Sequence, residues 1–260
     1  MKNFKVIESK DNSLIKLISN LQNSSKARRE NGLFVLEGLR ICKDASDNGI
    51  RFDKLIVSET AFEKYGNDIK NFSENSDECV KVTDTLFKRI SDTTSPQGMI
   101  AVSSIPQNNI ENIKCDGRYV ALENVQDPSN LGAVSRTAEA LGVSGIILSA
   151  GGCDPYSPKA LRASMGTLLR MPLIILDDFS KEINKLGLKT YSCVVDKDAQ
   201  KITDISFSNG SVVIIGNEAN GITEATKGVS DELITISMKG SAESLNAAVA
   251  AAIAIWEMIK

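Results

Sequence analysis

The sequence predicts an α/β protein in two parts, the second built on a parallel sheet covered by helices. Three observations carry this. From residue 118 onward, short apolar runs alternate with helical patterns: 118–123 (RYVALE), 144–149 (SGIILS), 172–176 (PLIIL), 188–195, 211–215 (SVVII) and 233–236 (LITI). Strands of this kind, apolar throughout and separated by helices, pair in parallel with both faces buried. Residues 1–105 alternate helix and strand signals more tightly, as in a small sandwich of helices on a sheet. Between them, residues 106–117 are rich in asparagine and weak in structure signals, and read as a linker to a second domain spanning 118–260. A chain of 260 residues can form two cores of this size.

In the first part, Leu14, Leu17, Ile18 and Leu21 form the apolar face of a helix. Residues 33–36 (LFVL) read as a strand and 38–48 as a helix with Leu39, Cys42 and Ala45 inward. Strands follow at 55–58, 79–82 and 99–103, and Thr83 or Asp84 can start a short helix reaching Ile90. Residues 24–29 (SSKARR) read as a polar loop. The first thirty residues carry seven basic and three acidic side chains, opposite in sign to the chain's net charge of −3. Such a run is either a solvated face or a set of phosphate contacts. Residues 93–98 (TTSPQG) are rich in turn formers.

The second part is organised around residues 130–142 (NLGAVSRTAEALG), held between its first two strands. Asp127 or Ser129 can cap this helix, and Pro128 suits its first turn. Leu131, Val134, Ala138 and Leu141 recur at helical spacing and face a core. Arg136 lies near the helix start, where the dipole favours anions over cations, so it faces an anion or pairs with Glu139 as an ordinary surface arginine. Along the last helix, Leu245, Val249, Ala252, Trp256 and Ile259 form a seam that suits either burial on its own sheet or a subunit interface.

Composition excludes several chemistries. The chain has no histidine, which rules out Ser-His-Asp and Cys-His nucleophile systems and histidine-based metalloprotease motifs. Its five cysteines are scattered without a C-x-x-C pair, which argues against both a disulfide framework and a zinc site and for isolated buried thiols. No metal is expected. No apolar run reaches membrane-spanning length and the N-terminus lacks a signal-peptide core, so the expected location is the cytoplasm. Neither a G-x-G-x-x-G nor a P-loop motif is present.

Ligands of parallel sheets bind beyond the carboxyl ends of the strands. Three loops there stand out. The first leads into the helix of residues 130–142. The second, 216–221 (GNEANG), follows SVVII and places Glu218 at a strand tip between glycines that allow close backbone approach. The third, 237–241 (SMKGS), follows LITI and continues through 243–246 (ESLN) into the last helix.

In this order the loops resemble the SpoU/TrmH branch of the SPOUT superfamily, RNA 2′-O-ribose methyltransferases that use S-adenosylmethionine. Asn130, Gly132, Arg136, Ala138 and Gly142 match its first motif, N-x-G-x-x-x-R-x-A-x-x-x-G. Gly216, Asn217, Glu218 and Gly221 match its second, G-N-E-x-x-G. Ile236, Met238, Gly240, Ser244, Leu245 and Asn246 match its third. Residues 154–166 (DPYSPKALRASMG) resemble its rRNA-directed members. Two departures are visible, Ser237 where proline is usual and Ala247 where valine is common, and the first leaves the third loop less rigid. The opening SKDN, the run 26–40 (KARRENGLFVLEGLR) and TSPQG resemble the L30e/L7Ae-like substrate-binding domain of those members.

The resemblance implies a SPOUT α/β domain with a C-terminal trefoil knot, preceded by an L30e/L7Ae-like sandwich, and a homodimer. It implies methyl transfer to a ribose 2′-hydroxyl of RNA, with 23S rRNA the expected target. The alternatives are a tRNA-directed enzyme and a non-catalytic RNA-binding assembly factor on the same fold. It implies S-adenosylmethionine held by Gly216, Asn217, Ile236, Met238 and Leu245. Arg136 is the implied catalytic residue, with Asn130, Glu218, Ser244 and Asn246 orienting it, the cofactor and the ribose. Lys26, Arg28, Arg29, Lys159 and Arg162 are the candidate phosphate contacts.

Overall fold

The computed structural model describes residues 2–107 and 110–260, and divides into two compact units, Met1–Pro106 with Tyr156–Arg170, and Gln107–Pro155 with Met171–Lys260. Residues 108 and 109 of the expected linker lie outside the described residues; beyond them Ile110–Asn112 makes a single 3-10 turn. Among the described residues no helix is long and apolar enough to cross a membrane.

The first unit has strands β1 (Phe4–Ile7), β2 (Leu33–Glu37), β3 (Phe52–Ser58), β4 (Ser76–Val82) and β5 (Met99–Ser104) in the order β1-β4-β3-β5-β2. β1, β4 and β3 run parallel, while β5 is antiparallel to β3 and β2. Its helices are α1 (Ser13–Asn23), α2 (Ser25–Asn31), α3 (Leu39–Asp47), α4 (Glu59–Lys64), α5 (Gly66–Glu74) and α6 (Asp84–Ile90). Asn12 caps α1 through the Leu14 N–H, and Leu14, Ile15, Ile18 and Leu21 pack with α6 and one face of the sheet. Thr83 caps α6 through the Leu86 N–H.

The sequence reading misses β1, which has only four residues, and both α4 and α5. It also takes 24–29 for a loop. In the structure Ser24 ends α1 and caps α2 through the Ala27 N–H, and Gly32 closes α2 in the left-handed region at φ 64°. A serine N-cap and a glycine stop with seven residues between them are the signals of a short helix.

The second unit begins with β6 (Arg118–Leu122), α7 (Pro128–Ala140) and β7 (Gly145–Ser149). The next helices, α8 (Pro158–Ser164) and α9 (Thr167–Arg170), belong to the first unit, where α8 packs against β2. There follow β8 (Leu173–Leu176), α10 (Phe179–Ile183), β9 (Lys189–Cys193), β10 (Gln200–Lys201), β11 (Ser211–Ile215), α11 (Glu224–Val229), β12 (Glu232–Thr235) and α12 (Ala247–Ile259). The strand order is β10-β12-β9-β11-β6-β7-β8 and every pairing is parallel. The unbroken apolar character of SVVII is explained by its place as β11 in mid-sheet, with all five residues buried.

Register sets the strand ends side by side. Ile215 of β11 lies opposite Leu122 of β6, and Ile214 opposite Ser192 of β9. The loops leaving β6, β9 and β11 therefore emerge at one edge. There the buried Glu123 accepts from the Thr223 N–H (2.9 Å), the Thr223 hydroxyl (2.7 Å) and the Thr226 hydroxyl (2.6 Å). Thr223 is the N-cap of α11, so one carboxylate at the end of β6 fixes where the chain resumes after the loop that follows β11. Charged acceptors of this kind make stronger hydrogen bonds than neutral ones.

Candidate active site

Asp127 caps α7 through the Ser129 N–H with Pro128 in the first turn, which decides between the two cap candidates. α7 buries Leu131, Val134 and Ala138, and also Asn130 at 7 % exposure. Asn130 is held from two sides. Its Nδ2 donates to Glu218 Oε1 at 2.8 Å, and its Oδ1 accepts from Asn246 Nδ2 at 3.0 Å. The backbone N–H groups of Gln126 and Asp127 also donate to the Glu218 carboxylate, at 3.2 and 3.3 Å. Asn246 in turn caps α12, its Oδ1 accepting from the Ala248 and Val249 N–H groups. The helix entered by the first loop and the second and third loops thus each give one residue to a single hydrogen-bonded chain.

Electrostatics follows from these contacts. Burial pushes the Glu218 carboxyl up, but the Asn130 amide and the Gln126 and Asp127 N–H groups outweigh it and leave it below the ordinary value. Glu218 is therefore an anion at neutral pH. Cys153, beside it, is pushed up to about 12 by burial and by the charge of Glu218, so its thiol stays protonated. Of the five free thiols, Cys42 and Cys79 are buried, Cys153 and Cys193 half-buried, and Cys115 is exposed, against the expectation of burial throughout.

The second loop is tightly closed. Asn217 and Gly221 exchange backbone hydrogen bonds in both directions, at 3.0 and 2.9 Å. The Asn217 side chain accepts from the Ala219 and Asn220 N–H groups and donates to the Asn124 carbonyl. A Cβ at Gly216 would lie 2.2 Å from the Gly221 carbonyl carbon, so only glycine permits this closure.

Against this loop lies a cavity of about 380 Å³. Gly216, Asn217, Glu218, Ile236, Met238, Ser244 and Leu245 line it, so seven of the sequence-derived catalytic and cofactor residues converge there. Cys193, which ends β9, and Val194, Val195 and Asp196 beyond it form a further wall that the sequence reading does not find. The same rule, inspection of each loop beyond a parallel strand, would have found it; these residues carry no glycine to attract notice. Arg136 is not among the lining residues. It is exposed on α7, six residues beyond Asn130, roughly 9 Å further along the helix axis.

The phosphate candidates divide. Lys26, Arg29, Lys159 and Arg162 are exposed in the first unit, Lys26 near Glu30 and Arg162 paired with Asp92 at 2.7 Å. Arg28 is a correction. It is 4 % exposed, and its guanidinium donates to the Leu21 and Gln22 carbonyls at the end of α1, so it holds the fold and offers RNA no surface. The seam on α12 is also resolved: Ala247, Ala251, Ala254, Ile255 and Met258 face inward, whereas Val249 and Trp256 are 48 % and 58 % exposed.

Residues 117–256 match the SpoU rRNA Methylase family. The chain belongs to that family. Residues 12–101 match the MRM3-like substrate binding domain. Among SpoU relatives, the 23S rRNA (guanosine(2553)-2′-O)-methyltransferase of Bacillus subtilis is 29 % identical over 98 % of this chain and 99 % of its own. The 23S rRNA (uridine(2479)-2′-O)-methyltransferase of Streptomyces viridochromogenes is 26 % identical over 92 % and 86 %. Among solved structures, an AdoMet-bound rRNA methyltransferase from Sinorhizobium meliloti superposes with a TM-score of 0.85 at 28 % identity, covering 98 % of this chain and 97 % of that one.

The cavity suits the methyl donor of such enzymes. Its volume falls in the range of small-molecule sites. The closed glycine loop offers backbone groups at short range, Ile236, Met238 and Leu245 supply an apolar wall, and Glu218 and Asp196 bring carboxylates to a ligand with sulfonium and ammonium groups. Gly216→Ala should abolish S-adenosylmethionine binding, measured by calorimetry, with less than 10-fold weakening the contrary result, because the added methyl collides with backbone rather than with a movable side chain.

Proposed function

We propose that this protein transfers the methyl group of S-adenosylmethionine to a ribose 2′-oxygen of 23S rRNA, acting in the cytoplasm as a homodimer. The joining of three motif loops through Glu218, Asn130 and Asn246, beside a cavity lined by the second and third loops, is the observation that carries this reading. The relatives named above, which modify 23S rRNA, favour that target over tRNA. The non-catalytic alternative is disfavoured because every side chain of the constellation is present.

The bound cofactor supplies an already activated methyl group on a sulfonium. Transfer of that methyl group to a ribose 2′-oxygen would leave the neutral thioether S-adenosylhomocysteine and pass the hydroxyl proton to solvent. What the protein adds is alignment and charge. Gly216, Asn217, Ile236, Met238 and Leu245, which line the cavity, would hold the cofactor. Glu218 keeps Asn130 in place, and Asn246 fixes the start of α12 against both. Ser244 lies on the wall next to Leu245 and orients the ribose.

The Arg136 guanidinium offers N–H donors and no acceptor, which suits it to hold anions rather than to take up a proton. Its role is to stabilise the developing oxyanion and hold an adjacent phosphate, as its exposed position allows. Lys26, Arg29 and Lys159 contact further phosphates from the first unit, while Arg162 stays paired with Asp92. The exposed seam with Val249 and Trp256 on α12 is the surface for the second copy.

With labelled cofactor and an unmodified 23S rRNA transcript, wild type should give a labelled, alkali-resistant dinucleotide. Label released as mononucleotides would contradict ribose methylation. Arg136→Ala should lower the rate by about 10²–10³-fold while cofactor affinity stays within about twofold; an undiminished rate would remove Arg136 from the mechanism. For the dimer, Trp256→Glu should sediment as a monomer where wild type sediments as a dimer, and an unchanged profile would place the interface elsewhere.

A further inference from the structure

Three stretches that the sequence singles out, and that the transfer chemistry leaves unused, meet around a second cavity in the first unit. Gly38 and Arg40 come from the run 26–40, Gln97 from the TSPQG loop, and Arg162 and Met165 from 154–166. The cavity measures about 560 Å³, enough for one nucleotide. Separations of some sixty residues in sequence between these stretches make a shared wall an informative coincidence.

Charge on the wall is sorted by pairing. Glu37 already accepts from Gln22, Ser91, Asp92 and Thr93. Arg170 is bound to Asp44 at 2.5 Å and Arg162 to Asp92 at 2.7 Å. Arg40 and Lys43, one turn apart and exposed on α3, are the cations that remain, with Asp47 a turn further on. Arg40 stands in the first turn of a nine-residue helix and Lys43 at its middle, and the N-cap, Gly38, provides no side-chain acceptor. Gln97 Oε1 accepts from the Leu39 N–H at 2.8 Å, which leaves its NH₂ group as a donor. Opposite in character is Met165, an apolar side chain 44 % exposed on a backbone held at φ 51°, with Ile41 and Leu161 beside it. The left-handed turn is the C-cap of α8, so Met165 marks the end of that helix.

We propose that this cavity holds one nucleotide from a single-stranded part of the RNA substrate, an assignment that rests on the reading of the protein as an rRNA methyltransferase. The phosphate lies at Arg40 and Lys43 over the first turn of α3. The base lies against Met165, and Gln97 donates to its edge. Single-stranded RNA is recognised in this way, by cations on the backbone and an apolar platform and edge contacts for the base.

The test compares full-length wild type with Arg40→Ala/Lys43→Ala and with Met165→Ala, using an unmodified 23S rRNA transcript and, separately, uridine 5′-monophosphate. For the double variant, affinity for the transcript should fall about 10-fold and the slope of log K against log salt should become shallower by about 0.7. Its KM for RNA should rise far more than kcat falls, with S-adenosylmethionine affinity preserved as the sign of an intact second unit. Met165→Ala should weaken RNA binding several-fold with the slope unchanged. Transcript affinity within twofold of wild type and an unchanged slope in the double variant would overturn the assignment. Loss of uridine 5′-monophosphate binding alone, with RNA binding intact, would also overturn it, in favour of a free mononucleotide. A wild type that binds the transcript through Arg40 and Lys43 but transfers no methyl to it would sink the methyltransferase reading and support the cavity assignment.

Discussion

The hydrogen-bonded chain from Glu218 through Asn130 to Asn246 is the constraint on which the candidate active site depends. Each of these residues lies near the end of an element. Glu218 lies just beyond β11, Asn130 in the first turn of α7, and Asn246 caps α12. None of the three loops is regular, and loops left to themselves lose little by opening. Tied through a buried amide, they keep one arrangement. Asn130 is suited to the middle position because its side chain both donates and accepts, and here it does one toward each neighbour. An aspartate there would face Glu218 with a like charge; an alanine would leave Glu218 and Asn246 without their common partner.

The sheet explains why such a chain can form. Parallel strands in register bring the ends of β6, β9 and β11 to one edge, and the loops leaving them share that edge. Glu123 then fastens the far end of the β11 loop by three hydrogen bonds at the start of α11. Two carboxylates therefore bound the same loop, Glu218 near its beginning and Glu123 beyond its end. At the two ends of the loop, Gly216 and Gly221 approach so closely that a side chain at Gly216 has no room. The result is a rigid wall with accessible backbone groups, which is what recognition of a small polar cofactor requires.

Much of this was legible from residues. The apolar runs of the second part mark six of its strands, because strands buried on both faces need apolar side chains throughout. The motif order also points to the residues that meet: Asn130, Glu218 and Asn246, although separated by up to 116 positions, bond to one another. Less legible were features that depend on partners rather than pattern. Arg28 resembles its basic neighbours in sequence, and only the approach of two α1 carbonyls makes it structural. The seam on α12 has a helical period whichever way it faces; neighbours decide that the alanine-rich side packs and Trp256 stays out. β1 is too short for a periodic signal. The stretch 156–170 belongs to the first unit although its neighbours in sequence belong to the second, and no composition shift marks that exchange.

The central claim, that three loops act as one unit through Asn130, is tested most directly by a double-mutant cycle on S-adenosylmethionine affinity with Asn130→Ala and Glu218→Ala. If the chain couples the loops, the double variant should lose little more than either single one, with a coupling energy of about 1 kcal/mol or more. Losses that simply add would mean that Glu218 and Asn130 act on the cofactor independently, and would contradict the account.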